Sequence, residues 1–543
     1  MSDMTTALIK WQNTLPGGND LNTRMRDALA IALGVSANSD LQTMLSQYLP
    51  TLYANGGAPP SAPAGYDIIF STGDSNKKHG ASFDGALDTG DTNLKQLGYT
   101  SPNTDAVIAA VDPLDAATDG VDTGNIGHDV HFAKDYYMAN GLRLGARQVL
   151  IVQTSKGGSY AGVDNFAHWG ALTGTAGTPT TSSGSLLDIA SGRRTTALAL
   201  TGTNTVVACL ELEGSNAYSA YGNASQTTLM HKYRWQLERK YQFIRNLLGP
   251  TVPIVISRAT KDAINAAGGV YSTNGVRVDR IIKSMERKFT YFGVANSQSP
   301  TELGGDGVSG DVHFSAADQR TLSGRYYTAF VAAKANTTRG VVTWEPDDVM
   351  LSADGYPAGF TLANSNLDLS GDANSAWKTH RISAPVRSGK VYCEVKIQAV
   401  NNASNMGMLG FCNADRASST WVGDSAIADD GPAKMGASQW GGSPTNSVLG
   451  YTKDWTGTLS WVVNDIIMFA VDYTAGKAWI GKNGTWSNSG DPAAGTGQWL
   501  SGIVDPIYLA ASIYTGTNNT YRLQPSSASF SYSAPSGFSA WGA

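Results

Sequence analysis

Charge is scarce in this chain of 543 residues: Asp, Glu, Lys and Arg together make up 15% of it, against about a quarter in an ordinary soluble protein. The balance is slightly acidic, with a formal net charge of −5. No run of Lys and Arg stands out, so nothing supplies the positive potential that holds a phosphate backbone, and nucleic acid is excluded as an expected partner. Cysteine is nearly absent. The three present, Cys209, Cys393 and Cys412, are odd in number, far apart and set in apolar strand-like runs such as VVACLEL. Buried thiols are expected rather than disulfides, and without a Cys-x-x-Cys spacing there is no zinc motif. Long hydrophobic runs are missing too. None approaches the ~18 residues of a membrane span, and the opening MSDMTTALIKWQNTLPGGND lacks the charged-then-apolar pattern of an export signal. The expectation is a protein made in the cytoplasm, without a signal peptide and without membrane insertion.

Glycine is what abounds, with 61 residues, and Ser, Thr and Asn crowd many segments, a mixture that favours turns, short strands and uncharged polar surfaces. A single core stops growing near ~250 to 300 residues, so two or more domains are expected. Residues 1–56 carry two helix-like patterns, LNTRMRDALAIALGV and DLQTMLSQYLPTLY. The second opens on an Asp suited to N-capping and sets Leu41, Met44, Leu45 and Tyr48 at helical spacing. This segment reads either as a small packing cap or as an attachment or oligomerisation element. A Gly/Pro/Ala linker at 57–65 then ends any helix.

From residue 66 to 335 the pattern changes to short apolar runs separated by helical stretches. The runs are YDIIFST, VLIVQTS, TVVACLEL, TVPIVIS and FTYFGVA. Lacking polar alternation, they suit strands covered on both faces. Between them, HDVHFAKDYYMANGLRLGA and TTLMHKYRWQLERKYQFIRNLLG are helical, the latter with Leu229, Tyr233, Leu237, Tyr241, Ile244 and Leu248 on one face. Such alternation predicts an α/β fold with a doubly wound parallel sheet, whose sites form at the C-terminal ends of the strands. Beyond residue 346 the helical period vanishes. KVYCEVKIQAV, MGMLGFCNA, DIIMFAVDYTAGKAWIGKNGTW and PIYLAASIY are strand-like, with AGK and KNG turn signals, and predict an all-β sandwich over 346–543.

Chemistry is expected where the first strand runs out, at Gly73-Asp74-Ser75-Asn76. A serine there stands at the mouth of the sheet among small residues that leave its hydroxyl room, although Gly-Asp-Ser is by composition also an ordinary turn. A serine hydroxyl is hardly nucleophilic at neutral pH without an imidazole to take its proton and a group to orient that imidazole. The word Asp-Val-His-Phe occurs twice, at 129–132 and 311–314, and the second copy offers Asp311 and His313.

Four blocks in order, FSTGDSN, GNIGHDVHFAKDYY, LELEGSNAYS and VHFSAADQRTLSGRYYTAF, resemble those of the SGNH hydrolases, close to the sialate O-acetylesterase-like carbohydrate esterases, over residues 66–335. The resemblance implies a serine carboxylic-ester hydrolase that needs neither cofactor nor metal. Ser75 would be the nucleophile, His313 the general base, and the Ser75 and Gly127 amides with the Asn216 side chain the oxyanion donors. The family's acid lies three residues before its histidine, where this chain has Gly310. Asp311, then Asp306, then a backbone carbonyl are the candidates for orienting His313. His131, in the first copy, falls within a helix and reads as structural, whereas His128 is a candidate cleft residue. KGGSY lacks the spacing of a phosphate loop. In the family a comparable Gly-Gly turn lines the substrate cleft, which points to Gly158, with Asp164, His168 and Trp169 beyond it for sugar contacts. The alternative there is a polar surface loop with one buried Trp.

The β-rich segments, SGKVYCEVKIQA through GKNGTWSNSGDPAAGTG, resemble SPRY-like concanavalin-type sandwiches. Trp421, Trp440, Trp455, Trp486 and Trp499 are divided between sandwich core and glycan stacking. An esterase with such a module and without an export signal resembles a bacteriophage tail fibre or tailspike. That implies a virion location, a homotrimer, an O-acetylated capsule or O-antigen as substrate, and residues 1–56 docking on other virion tail proteins. Rival readings are a non-phage bacterial polysaccharide acetylesterase and a catalytically inactive, glycan-binding adhesin on an esterase scaffold.

Overall fold

The computed structural model describes residues 64–73, 80–155, 185–212, 230–258, 272–297, 303, 313–337, 341–345, 360–371, 377–400, 407–412, 434–438, 446–447, 452–503, 507–514 and 519–542, apart from positions 82, 86, 89–90, 101, 113, 116–124, 145–146, 456 and 458. The helices expected within 1–56 lie outside the described residues.

The α/β part contains β1 (Gly65–Gly73), β2 (Gly80–Ala81), β3 (Leu94–Leu97), β4 (Val107–Ala109), β5 (Asn125–Ile126), α1 (Asp129–Leu144), β6 (Arg147–Gln153), α2 (Leu186–Ala199), β7 (Thr205–Leu212), α3 (Met230–Leu248), β8 (Ile254–Ser257), α4 (Ser272–Lys288), β9 (Phe292–Ala295) and α5 (Ala316–Ala335). Its main sheet has the order β4-β3-β6-β1-β7-β8-β9. Every neighbouring pair from β3 to β9 is parallel, and only β4 runs antiparallel, at the edge. The expected runs all became strands of this sheet. Short β3 and β4 add to it; LKQL and VIA were too brief to register as apolar runs.

Alternation along β1 sends its side chains to two covered faces. Ile68 and Phe70 join a core with Leu187 of α2, Tyr233, Leu237 and Tyr241 of α3, and Ile282 and Met285 of α4. Ile69, equally buried, lies on the opposite face. There α1 and α5 meet edge to face, Phe330 lying 5.6 Å from Phe132 and 5.9 Å from Tyr136 between ring centroids. Close approach of α5 to the sheet depends on Gly293 in β9. A Cβ at that position would come within 2.5 Å of the Ala329 carbonyl oxygen, so any larger residue would push the helix outward.

β1 is the point where the winding reverses: β6 lies on one side of it, and β7, β8 and β9 follow on the other. In open α/β sheets the ligand crevice forms beside such a strand, outside the carboxyl ends. The segments that leave these ends, 74–79 after β1 and 213–220 after β7, carry Ser75 and Asn216.

The β part packs two antiparallel sheets face to face. One is centred on Lys390–Ala399, Ile466–Asp472 and Lys477–Lys482; the other on Trp377–Arg381, Tyr508–Tyr514 and Gly407–Cys412. Val395, Ile397, Phe411, Phe469, Ile480, Leu509 and Ile513 fill the space between them. Trp499 is 1% exposed within this core, and Trp455 and Trp486 are half-buried against apolar neighbours. Trp421 and Trp440 lie outside the described residues. All three cysteines are buried thiols outside any disulfide, as their apolar settings foretold.

Residues 64–141 and 147–543 form one compact unit. The α/β and β parts meet within it across α3, whose sequence suggested a single apolar face. Tyr233, Leu237, Tyr241 and Ile244 do face the sheet, but Glu238 on another side of the helix is buried as well, because Tyr508, Arg381 and Arg387 of the β part close over it.

Candidate active site

The carboxyl end of β1 is wholly buried through Ser71 and Thr72. Gly73 then takes a φ of +145°, in the region that side-chain-bearing residues avoid, so the chain turns out of the sheet there, two residues before Ser75. Ser75 and its neighbours 74–79 lie outside the described residues, as do Gly158, Asp164, His168, Trp169, Gly214, Asn216, Asp306 and Asp311. The segments leading to Ser75 and Asn216, and the one that carries His313, are described, and they are joined to one another.

Ser71 donates its hydroxyl to Asp129 Oδ2 at 2.6 Å, and Gln153 Nε2 donates to the same oxygen at 2.9 Å. Asp129 opens α1, directly after Gly127-His128, where a carboxylate also faces the positive end of the helix dipole. His128 Nε2 lies 3.4 Å from Asp129 Oδ1, and its Nδ1 lies 3.1 Å from Gln319 Oε1 on α5. The imidazole stacks on Tyr326, with ring centroids 4.4 Å apart and an interplanar angle of 12°. Tyr326 in turn donates its hydroxyl to the Glu211 carbonyl at 2.5 Å, near the end of β7. The Glu211 carboxylate accepts from the Thr72 hydroxyl and, at 2.7 Å, from Lys240 Nζ. Thr72 follows Ser71, so the ring closes.

This ring ties together all four sequence blocks. Ser71 and Thr72 precede Ser75 by three or four residues, His128 and Asp129 follow Gly127, Glu211 precedes Asn216 by five, and Gln319 follows His313 by six. A second tie runs between β2 and β5, pairing Gly80, just past residues 74–79, with Ile126, just before Gly127.

His313 is half-buried and directly precedes the fully buried Phe314. The start of α5 is fixed two residues later by Ser315, whose hydroxyl accepts the Asp318 amide at 3.2 Å as an N-cap. One turn further, Arg320 makes a two-pronged ion pair with Asp88, through Nε at 2.9 Å and Nη2 at 2.7 Å. His131 Nε2 completes that site at 2.8 Å from Asp88 Oδ1. The first Asp-Val-His-Phe word is thus structural in both its polar members: Asp129 holds β1, and His131 is stapled through Asp88 to α5. Burial would raise the Asp88 carboxyl, but Arg320, the Asp84 amide and His131 together hold it well below the usual carboxylate range. His131 is lowered by its burial in spite of Asp88.

Two expectations change. His128 was read as a cleft residue, but it is 0% exposed and closed in by Tyr326, Gln319 and Asp129, which leaves no face for a sugar. Gly127 was read as an oxyanion donor, but its N–H donates to Asp112 Oδ1 at 3.2 Å, into the protein interior.

Asp112 has no counterpart in the sequence reading. Its Oδ2 has no hydrogen-bond partner among the described residues. Burial pushes its pKa up to about 8, only partly offset by the Gly127 amide, with Asp129 and Asp88 adding repulsion and Lys134 a weak opposing attraction. The folded protein therefore keeps this proton up to about pH 8, whereas the unfolded chain loses it near the ordinary carboxylate value of 3.8. Between those limits unfolding releases a proton, so stability rises as the pH falls from 8 towards 4. Asp88 has the opposite sign and a different window, its contribution being lost only below the ordinary carboxylate range. Asp112→Asn, which keeps an acceptor for Gly127, is expected to flatten the rise in Tm between pH 8 and pH 5, as followed by thermal unfolding. An unchanged slope would refute the assignment.

Sequence reasoning missed Asp112, Glu211, Lys240 and Tyr326. Glu211 left a trace, being the one charge inside TVVACLEL, a strand otherwise built for burial. Among the described residues, no group of three or more His, Cys, Asp or Glu is placed to hold a metal.

No family model matches the chain, and no curated protein is similar to it. Among solved structures, NanS aligns with a TM-score of 0.34 at 15% identity, over 50% of this chain and 98% of that one. A carbohydrate acetylesterase from Xanthomonas citri aligns with a TM-score of 0.32 at 12% identity, over 69% of this chain and 75% of that one. The SPRY domain of human HERC1 aligns with a TM-score of 0.22 at 15% identity, over 30% and 91%.

Proposed function

We propose that this chain is a serine esterase that removes O-acetyl groups from a bacterial surface polysaccharide. The observation that supports the reading is the closed ring of buried hydrogen bonds and ring stacking, Ser71–Asp129–His128–Gln319/Tyr326–Glu211–Thr72, which joins the ends of β1 and β7 to the starts of α1 and α5. Buried polar groups fully engaged in this way specify a single arrangement rather than adding much stability.

In the mechanism, Ser75 Oγ attacks the acetyl carbonyl carbon while His313 takes the hydroxyl proton. The oxyanion is held by the Ser75 amide and the Asn216 side-chain amide. As the tetrahedral intermediate collapses, the bond to the sugar oxygen breaks and His313 returns the proton to that oxygen. Water, deprotonated by His313, then attacks the acyl carbon and releases acetate and free Ser75. Asp311, Asp306 or a backbone carbonyl orients the imidazole.

The setting we favour is a phage tail fibre or tailspike: a homotrimer on the virion, with residues 1–56 docked on other tail proteins and capsule or O-antigen as substrate. Support for it is the joined SPRY-like segment and the Gly/Ser/Thr/Asn-rich composition. A second reading, a catalytically lapsed glycan-binding adhesin, is favoured by Gly310 at the family's acid position and by the Gly127 amide turned to Asp112. Incubating purified acetylated bacterial polysaccharides with wild type and Ser75→Ala separates the two. The esterase releases acetate only as wild type; an adhesin binds glycan and releases none from either.

A further inference from the structure

The mechanism leaves unused an ion pair buried in the floor of the site. Glu211 and Lys240 are 0% and 1% exposed, with 2.7 Å between Oε1 and Nζ. A buried pair of this kind is rarely worth more to stability than well-packed apolar residues of the same volume, so its place needs another account. Glu211 is the penultimate residue of β7, beside Thr72 in the parallel register with β1. Its carboxylate takes the Thr72 hydroxyl on Oε2 while Lys240 holds Oε1, and its carbonyl takes the Tyr326 hydroxyl from α5. One residue therefore fixes the exits of both strands that flank the crevice, and the helix that follows His313. Thr72 is the last residue before the turn at Gly73.

We infer that the buried Glu211–Lys240 pair, acting through the Thr72 hydroxyl, is a positioning device for the turn that carries Ser75. The inference rests on the esterase reading. Lys240 fixes the orientation of the carboxylate, the carboxylate fixes the Thr72 side chain, and Thr72 sets the direction in which the chain leaves the sheet. None of the three touches substrate. Their contribution lies in holding the Ser75 hydroxyl within reach of both His313 and the ester carbon, where misplacement by about 1 Å costs on the order of a hundredfold in rate.

Thr72→Val tests this, because it removes the hydroxyl and keeps the branched shape. On a chromogenic acetate ester, kcat is expected to fall at least about tenfold with KM within about twofold of wild type. Tm is expected to stay within about 2 °C, and Thr72→Ser, which restores the hydroxyl, to recover most of kcat. Glu211→Gln, which removes the charge that faces Lys240, is expected to show a larger kcat loss together with a lower Tm. The positioning role is overturned if Thr72→Val keeps wild-type kcat, if Thr72→Ser fails to restore it, or if the kcat loss merely follows a fall in Tm. A wild type that cleaves no ester, or one matched by Ser75→Ala, overturns the parent reading and this role with it. An active wild type with an insensitive Thr72 overturns the positioning role alone.

Discussion

Glu238→Ala is expected to destabilise the protein by about 3–5 kcal/mol, a large part of the ~5–15 kcal/mol typical of a folded domain. Glu238 stands on α3 where the β part covers it. Tyr508 donates its hydroxyl to both carboxylate oxygens at 2.6 Å. Arg387 lies 3.2 Å away, and Lys288 and Arg381 each 3.9 Å. Burial would raise this carboxyl, but the surrounding cations and Tyr508 hold it below its usual range. Arg381 is 0% exposed, its guanidinium 4.0 Å from the centre of the Tyr508 ring. The other acid at this junction, Glu345, is already engaged by Arg287 at 2.5 Å and Lys288 at 3.3 Å. Removing Glu238 therefore takes away a buried anion that faces both Arg381 and Arg387. Arg381 ends a strand and Arg387 follows Val386, which is bridged to Ile507, so both cations are held in place.

The same cluster predicts how unfolding proceeds. Wild type should lose its α/β and β parts in one coincident transition, and Glu238→Ala should split or lower it. Calorimetry alongside tryptophan fluorescence, which follows the β part where most of the buried tryptophans lie, would show this. On acidification below the ordinary carboxylate range, wild type should lose the Glu238 contribution and approach the variant. A variant within about 1 kcal/mol of wild type, melting as a single step, would contradict the account.

The second large effect is catalytic. Ser75→Ala and His313→Ala should each lower kcat/KM for ester cleavage by about 10⁴-fold or more, and the double variant should be little worse than either, because nucleophile and base act as one unit. Asp311→Asn should be milder, since Asp311 stands one residue nearer the histidine than the family's acid. His313 is half-buried, just ahead of Phe314 in the core and the helix cap at Ser315, and its replacement should leave Tm nearly unchanged. Loss of activity without loss of stability is the signature that separates a catalytic imidazole from a packing one. The reverse is expected for His131, which is committed to Asp88: its removal should lower Tm and spare kcat.

Much of the fold was legible because its signals are local. TVVACLEL reads as a buried strand and is one, residue for residue. KVYCEVKIQAV and DIIMFAVD likewise became the central strands of the larger β sheet. Helices α2 and α4 were not foreseen; α2 mixes Arg, Thr and Gly with its few apolar positions, and the apolar side chains of α4 are outnumbered by charges. What pattern cannot supply is partnership over distance. His128 and Gln319 are 191 residues apart and Glu238 and Tyr508 270, so a buried charge in either looks like a surface charge until its partner is in place. For the same reason His128 read as a cleft residue: proximity to Gly127 was visible, but the Tyr326 ring that covers it was not. In the first copy of the repeated Asp-Val-His-Phe word both polar side chains are engaged, Asp129 by Ser71 and Gln153 and His131 by Asp88.

Labelling with a fluorophosphonate ester tests the central claim most directly, because such probes phosphonylate only a serine whose hydroxyl is activated. The account predicts a single adduct, mapped by mass spectrometry to the peptide containing Ser75, formed by wild type and absent from His313→Ala. An unlabelled wild type, or an adduct on another serine, would contradict it.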